Sequence, residues 1–380
     1  MRPMNIVVIR VGEITRFPPA ISLVNALLDL GHNVTLLAND VKNLPLSMVQ
    51  NDRLNVVDFG ERGSRLRNIV HIVTDHEMIK SYLREHKNEI DLVWATTDLS
   101  TRAAGNELLD FPYVIQLSEL VEYVPLLKGS DSRLHYRNIE KLAKRASRVV
   151  VPEYNRAHIQ QAYWNLPRLP KVLPNKPYPD SSINDIAVPN DMLETITSDN
   201  RKILLYQGVY TGDRSLEAYA RAVNLLGDDY ALYIMGAPLE PGVDWFRDLS
   251  RITDRVVDLG FIAAPNHLAV TPYGHIGLLP YKATKYSHFS VLNPLYCAPN
   301  KIWEYSRFGL PMIGSDVPGL SGAFRDGKMG FTIDGSPESI AEAVMRIDND
   351  YDGFSTRSKK YYHSIDIKKI VAEILDEAIG

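Results

Sequence analysis

Short apolar runs, each followed by a turn signal and then by a stretch of helical spacing, recur along most of this chain, and no other feature limits its fold as much. NIVVIRV (5–11), a polar loop, PPAISLVNALLDLGH (18–32) and NVTLLA (33–38) read as strand, helix, strand, with proline at the helix start and Gly31 at its exit. IVHIV (69–73), DLVWA (91–95), YVIQL (113–117) and RVVVP (148–152) continue the series of strands, separated by polar or helical stretches such as DHEMIKSYLREHKNE. Strands that are apolar throughout are buried on both faces, and their alternation with helices predicts a parallel sheet covered by helices.

The regularity stops between 165 and 200, where NLPRLPKVLPNKPYPDSSINDIAVPN is dense in proline and asparagine and disfavours both helix and central strand. A second series then runs through RKILLYQG, the helical DRSLEAYARAVNLLG, YALYIMG, RVVDLG, HIGLLP and FTIDG to the helical SPESIAEAVMRI. A length of 380 residues exceeds the roughly 250–300 at which a single core stops growing. The expected fold is therefore α/β, with two tandem doubly wound, Rossmann-like domains facing a cleft: 1–175, and 176–361 including the linker, with a last helix at about 362–380 returning to the first domain. Ligands of such sheets bind outside the carboxyl ends of the strands.

Composition removes other classes. Hydrophobic residues at 45% and charged ones at 23% are those of a globular chain. The single Cys297 cannot form an internal disulfide, and MRPMNIVVIRVGE lacks the apolar stretch of a leader, so a cytoplasmic location is expected. No run approaches the roughly 18 apolar residues of a spanning helix. The formal net charge of -4 identifies no partner by itself, and no nucleic-acid partner is expected.

Two stretches carry chemistry. In APNKIWEYSRFGLPMIG (298–314), proline at the start and Gly309 at the end bound a helix whose first turns hold Asn300, Lys301 and Glu304. Free N–H groups and the helix dipole favour an anion there, Lys301 adds a charge, and Glu304 can accept from a sugar diol. Spacing alone permits equally an exposed i,i+3 ion pair between Lys301 and Glu304. In YQGVYTGDRSLEAY (206–219), a strand ends at Gln207, Gly208 allows close backbone approach, and Arg214 is expected at the start of the next helix, positioned to grip a diphosphate. The plainer reading has Asp213 as N-cap and Arg214 in solvent.

LLYQG followed by DR, IMGAP (234–238), VVDLGFI (256–262), GLLPY (277–281) and above all APNKIWEYSRFGLPMIGSD (298–316) resemble the donor-binding domain of GT-B glycosyltransferases of the family 4 type, especially bacterial enzymes that build surface polysaccharides. QLSELVEY (116–123), the helix before RASRVVVPE and KVLPNKPY (171–178) are similar to that family's acceptor domain. The resemblance implies a nucleotide-sugar donor, a UDP-sugar, acting as substrate without any cofactor. Gly208 and Arg214 would meet the diphosphate, Gly236 and Phe261 flank the nucleoside, Asn300 and Lys301 meet phosphates, and Glu304 hold the ribose. It also implies retention of anomeric configuration, with Arg214 and Lys301 stabilising the departing diphosphate in place of a metal.

Two departures stand out. Tyr296 occupies the position where the family has a second glutamate, and the first loop, RVGEITRFPPA, offers Gly12 alone where the family is glycine-rich, so that side chains such as Glu13 or Arg16 would reach the cleft instead. An inverting enzyme would need a base, for which Glu119, following the strand YVIQL, is the choice and Glu122 the alternative. Arg133, Arg137, Lys141, Arg145 and Arg148 form a predicted basic stripe over 133–148 that could rest on anionic lipid, where a lipid-linked acceptor would lie. None of the ten His falls in a recognisable pair. Besides transfer to a saccharide or lipid-linked acceptor, two readings stay open: a nucleotide-sugar epimerase of similar architecture and a non-catalytic two-lobed sugar-binding protein.

Overall fold

Every pairing between the strands is parallel. The computed structural model describes residues 2–14, 17–42, 44–60, 65–121, 132–178, 190–238, 244–262, 265–284 and 291–380, with backbone only at 46, 65–73, 132–137 and 190. Arg16 and Glu122 lie outside the described residues, as do the side chains of Arg133 and Arg137.

In chain order the first half contains β1 (Asn5–Glu13), α1 (Pro18–Asp29), β2 (Asn33–Asn39), α2 (Leu46–Val49), β3 (Leu54–Asp58), α3 (Arg65–Glu85), β4 (Leu92–Ala95), α4 (Asp98–Ala104), β5 (Tyr113–Gln116), α5 (Ser132–Arg145), β6 (Arg148–Val151), α6 (Tyr154–Trp164) and β7 (Lys171–Val172). There follow α7 (Asn190–Thr197), β8 (Lys202–Gln207), α8 (Glu217–Leu226), β9 (Tyr230–Met235), α9 (Trp245–Ser250), β10 (Val256–Gly260), β11 (Ile276–Leu279), α10 (Leu292–Leu295), α11 (Asn300–Phe308), β12 (Met312–Ser315), α12 (Pro318–Gly327), β13 (Gly330–Ile333), α13 (Pro337–Asp348), α14 (Tyr351–His363) and α15 (Ile367–Ile379). Two compact units result: residues 1–180 with 366–380, and 181–365.

The first unit holds a seven-stranded sheet in the order β3-β2-β1-β4-β5-β6-β7. The order reverses between β1 and β4, and Gly12 lies near the carboxyl end of β1 beside that reversal. Its last helix, α15, packs on α1 and β6. Glu377 of α15 clasps Arg148 at 2.7 Å and Lys171 at 2.5 Å. Arg148 therefore starts a strand and faces α15; it is not part of a helical stripe with Arg145, as the sequence had suggested.

The second unit holds a six-stranded sheet, β10-β9-β8-β11-β12-β13. Its strands are apolar throughout because both faces are covered: Leu205, Tyr233, Leu279 and Met312 pack toward α11 and α12, while Leu204, Leu232, Leu278 and Ile313 pack toward α8 and α13. The order reverses between β8 and β11, and at such a point two neighbouring loops diverge and leave a crevice.

Two expectations fail and one strand goes unread, each for an identifiable reason. IVHIV is not a strand but lies within α3, since it runs unbroken into the helical DHEMIKSYLRE. The strand β3 escaped notice because it is a short edge strand, only partly buried. Within the stretch judged hostile to helix, α7 forms after Pro189 by burying Ile196 at 1% exposure.

Beside the β8/β11 reversal, Tyr305 of α11 substitutes for a missing strand partner. β11 pairs β8 only at Leu204 and Leu205. Beyond them the Tyr305 hydroxyl accepts from the Gln207 N–H at 3.1 Å and donates to the Leu205 carbonyl at 3.0 Å. The ring lies flat against Gly277, where an added Cβ would come within 2.4 Å of it. Gly277→Ala should therefore push Tyr305 out of register and lower stability by about 1–3 kcal/mol, the usual cost of overpacking, read as a lower urea midpoint with an unchanged slope.

Candidate functional site

The helix α11 occupies Asn300–Phe308 as its proline and glycine predict: extended Pro299 precedes it, and Gly309 ends it at φ 76, its N–H donating to the Ser306 and Tyr305 carbonyls. No side chain caps its N-terminus, which leaves the first-turn N–H groups directed outward. The helix is wedged between the sheet and α14, where Trp303 stacks on Tyr361 at 4.9 Å, and Lys301 through Ser306 are all buried. The exposed i,i+3 ion pair is accordingly not what forms. Lys301 and Glu304 turn to different partners.

Glu304 is 6% exposed. Its Oε2 accepts from Gln207 Nε2 at 2.5 Å, and its Oε1 lies 3.2 Å from His267 Nε2. Thr271 Oγ1 donates to Gln207 Oε1 at 2.9 Å, which turns the Gln207 amide nitrogen toward the carboxylate. Burial pushes the Glu304 carboxyl upward, but His267, Gln207 and Lys301 together outweigh it and hold the group below its ordinary value.

Lys301, 7% exposed, reaches back beside the end of β8. Its Nζ lies 5.0 Å from the Tyr206 ring centre and 5.6 Å from that of Tyr281. It is 3.0 Å from where a Cβ on Gly208 would sit. Arg214 shares Tyr281, its guanidinium 5.5 Å from the ring centre. Burial, and then the charge of Arg214, lower the Lys301 amine to about 7, although Glu304 opposes the shift. Two cationic side chains thus share one apolar-walled corner, and an anion would relieve their repulsion.

Gly208 and Gly236 stand back to back: a Cβ on Gly236 would fall 1.8 Å from the Gly208 carbonyl oxygen. Gly208 has φ 124, which a side chain would strain. Backbone therefore forms the floor beside Lys301.

The structure brings together Gly208, Gly236, Lys301 and Arg214, and through Gln207 joins them to Glu304. It corrects Arg214: α8 begins at Glu217, and Arg214 sits in the turn before it, its N–H donating to the Thr211 carbonyl at 2.9 Å. Asp213 is buried and accepts from the Thr211 hydroxyl instead of capping the helix. Asn300 is half-buried at the helix start, and Phe261 is 64% exposed just past β10.

Two candidates belong to the first unit. The Gly12 N–H donates to Asn39 Oδ1 at 2.9 Å, and Asn39 donates in turn to Asp75 Oδ2 at 3.1 Å. That N–H is thus occupied. Glu119, beyond the end of β5, is half-exposed and lies 3.7 Å from the buried Arg156 guanidinium. Tyr296 ends the short α10. Among the described residues no group of three or more His, Cys, Asp and Glu is arranged to hold a metal ion, and no helix is long and apolar enough to cross a membrane.

Sequence reasoning missed His267, Gln207 and Thr271 as partners of Glu304. His267 and Thr271 lie in two short 3-10 turns, Asn266–Ala269 and Thr271–Tyr273, which carry no periodic pattern. The strand end at Gln207, directly before a positive-φ glycine, was the available signal.

Residues 201–350 match the model of a family described as glycosyl transferases group 1. A search of curated proteins finds no match. Among solved structures, HepE of Anabaena in complex with UDP and glucose is 16% identical, covers 98% of both chains and has a TM-score of 0.67. Sucrose-phosphate synthase of Thermosynechococcus elongatus is 15% identical over 98% of both chains at 0.69. A glycosyltransferase of Rickettsia africae is 12% identical at 0.63, covering 100% of this chain and 96% of that one. What this chain shares with them is the fold: two Rossmann-like domains, as in proteins of the GT-B class.

The Lys301 amine gives a pH signature. Its folded value of about 7 lies below the unfolded value near 10.5. Between the two the unfolded chain binds more protons, so this group makes stability rise with pH over that window. A diphosphate against Lys301 would restore its proton. Pyrophosphate binding at pH 8 should therefore take up close to one proton, measured by calorimetry in buffers of different ionisation enthalpy, and Lys301→Met should abolish the uptake.

Proposed function

We propose that this chain, a glycosyltransferase by its GT-B fold and by the group 1 domain at 201–350, moves a sugar from a UDP-sugar to a saccharide or lipid-linked acceptor, as an enzyme of cell-surface polysaccharide synthesis. The observation that carries the donor reading is the first part of α11, where a buried amine and a buried carboxylate flank the end of β8 at the sheet's reversal. An amine suits phosphate and a carboxylate suits a ribose diol, and a nucleoside diphosphate presents both. UDP is chosen because HepE, of the same fold, was solved with it.

In this reading the diphosphate lies against the Gly208 backbone, Asn300, Lys301 and Arg214, and Gly236 and Phe261 flank the nucleoside. As the bond to the anomeric carbon lengthens, negative charge grows on the departing diphosphate. Lys301 and Arg214 stabilise it, which supports chemistry without a metal; retention of anomeric configuration is proposed from the family resemblance alone. A neutral-sugar-binding protein has no use for a buried amine with an arginine beside it, which argues against the non-catalytic alternative.

The first unit takes the acceptor, with Glu119 as the base should the enzyme invert. Glu119 lies 3.7 Å from the Arg156 guanidinium. Lys141 and Arg145 remain as described members of the stripe proposed to face anionic lipid, on the cytoplasmic side of a membrane.

UDP should raise the melting temperature, as should UDP-sugars, more than GDP or ADP and their sugars. Glu304→Ala should weaken UDP binding by about tenfold or more, the loss of hydrogen bonds to a charged group. The milder Glu304→Gln should fall between. No protection by any nucleoside diphosphate would sink the donor reading, and donor turnover without acceptor would point to the epimerase instead.

A further inference from the structure

The contacts of Glu304 bear on which nucleotide the site accepts. The carboxylate receives one donor on each oxygen, Gln207 Nε2 on Oε2 and His267 Nε2 on Oε1. A carboxylate has about four acceptor positions, so each oxygen keeps a lone pair while the plane of the group is held from two sides. The frame is itself held. The Thr271 hydroxyl lies 2.9 Å from Gln207 Oε1 and 3.1 Å from the His267 carbonyl, linking the two short turns that carry His267 and Thr271. The His267 Nδ1 is buried and has no hydrogen-bond partner. The tautomer with hydrogen on Nε2 is therefore favoured, since it leaves a lone pair at the unpartnered atom and directs an N–H at Glu304.

We propose that His267 is a positioning residue which, together with Thr271 acting through Gln207, sets the Glu304 carboxylate to offer one oxygen to each hydroxyl of a vicinal diol, so that the site selects ribonucleotides over 2′-deoxyribonucleotides. This rests on the nucleoside diphosphate reading above. A carboxylate free to rotate can meet a single 3′-hydroxyl as well as a diol, by turning one oxygen toward it. Clamped on both oxygens, it cannot turn, and a missing 2′-hydroxyl leaves the remaining lone pair of one buried oxygen unmatched, although that oxygen keeps its protein donor. The frame thus converts a general acceptor into a two-point gauge.

The test is calorimetric binding of UDP and 2′-deoxy-UDP to the full chain and to His267→Leu, His267→Gln and Thr271→Val, each first shown to be folded by its melting curve. The wild-type protein should prefer UDP by about tenfold. His267→Leu should bring the ratio toward one, Thr271→Val should lower it less, and His267→Gln, whose amide N–H can replace Nε2, should restore it. Equal loss for both nucleotides in His267→Leu, with the ratio unchanged, would show that His267 merely stabilises a buried charge and would overturn the proposal. Should His267→Leu not fold, an undiminished ratio in Thr271→Val would overturn it equally. Absence of UDP binding by the wild-type protein would overturn the donor reading and this inference with it, whereas UDP binding with no preference over 2′-deoxy-UDP would overturn this inference alone.

Discussion

A carboxylate nearly sealed from water in the middle of a short helix is the constraint around which the second unit is organised. Removing such a charge from water costs several kcal/mol, and only well-aligned donors offset it. For Glu304 those donors come from β8, through Gln207, and from the turns between β10 and β11, through His267. Neither can reach unless α11 lies directly over the sheet's reversal. Tyr305, the next residue, enforces that placement by completing the hydrogen bonding of β8 where β11 has left it, and Gly277 makes room for its ring. Backbone ladder, helix position and buried charge thus depend on one another.

Lys301 is the counterpart of Glu304, and its situation is the opposite. Where Glu304 has satisfied partners, Lys301 stands between aromatic rings near the charge of Arg214, and its proton is held weakly. The free protein therefore carries a carboxylate held by two donors at one end of the site and two neighbouring cationic side chains at the other. A ligand with an anionic end and a hydroxyl-bearing end balances both. Gly208 and Gly236, stacked too closely for any side chain, keep the path along this corner as bare backbone.

Much of this was legible in the sequence, and the reasons are specific. Continuous apolar runs reveal parallel strands because both faces are covered, so β1, β4, β8, β9 and β11 could be read directly. The edge strand β3 could not, since an edge is only partly buried and its residues look like those of a loop. IVHIV misled because a short apolar run fits a buried strand and a buried helical turn alike. In the site, the bounds of α11 followed from Pro299 and Gly309, yet the burial of Lys301 and Glu304 did not, because it depends on the end of β8, on Tyr281 and on the turn carrying His267, all distant in sequence. His267 and Thr271 act on Glu304 across more than thirty positions in sequence, and no local spacing encodes such a contact. Arg214 was found as a residue but misplaced as an element, since the turn before α8 is longer than Asp213 suggested.

The most direct test is an experimental structure of the protein with UDP. The account predicts the diphosphate beside Lys301 Nζ, Arg214 and the start of α11, with the two ribose hydroxyls on the two oxygens of Glu304 while His267 and Gln207 stay in place. UDP bound elsewhere, or bound here with Glu304 still closed off and touching only His267 and Gln207, would contradict it.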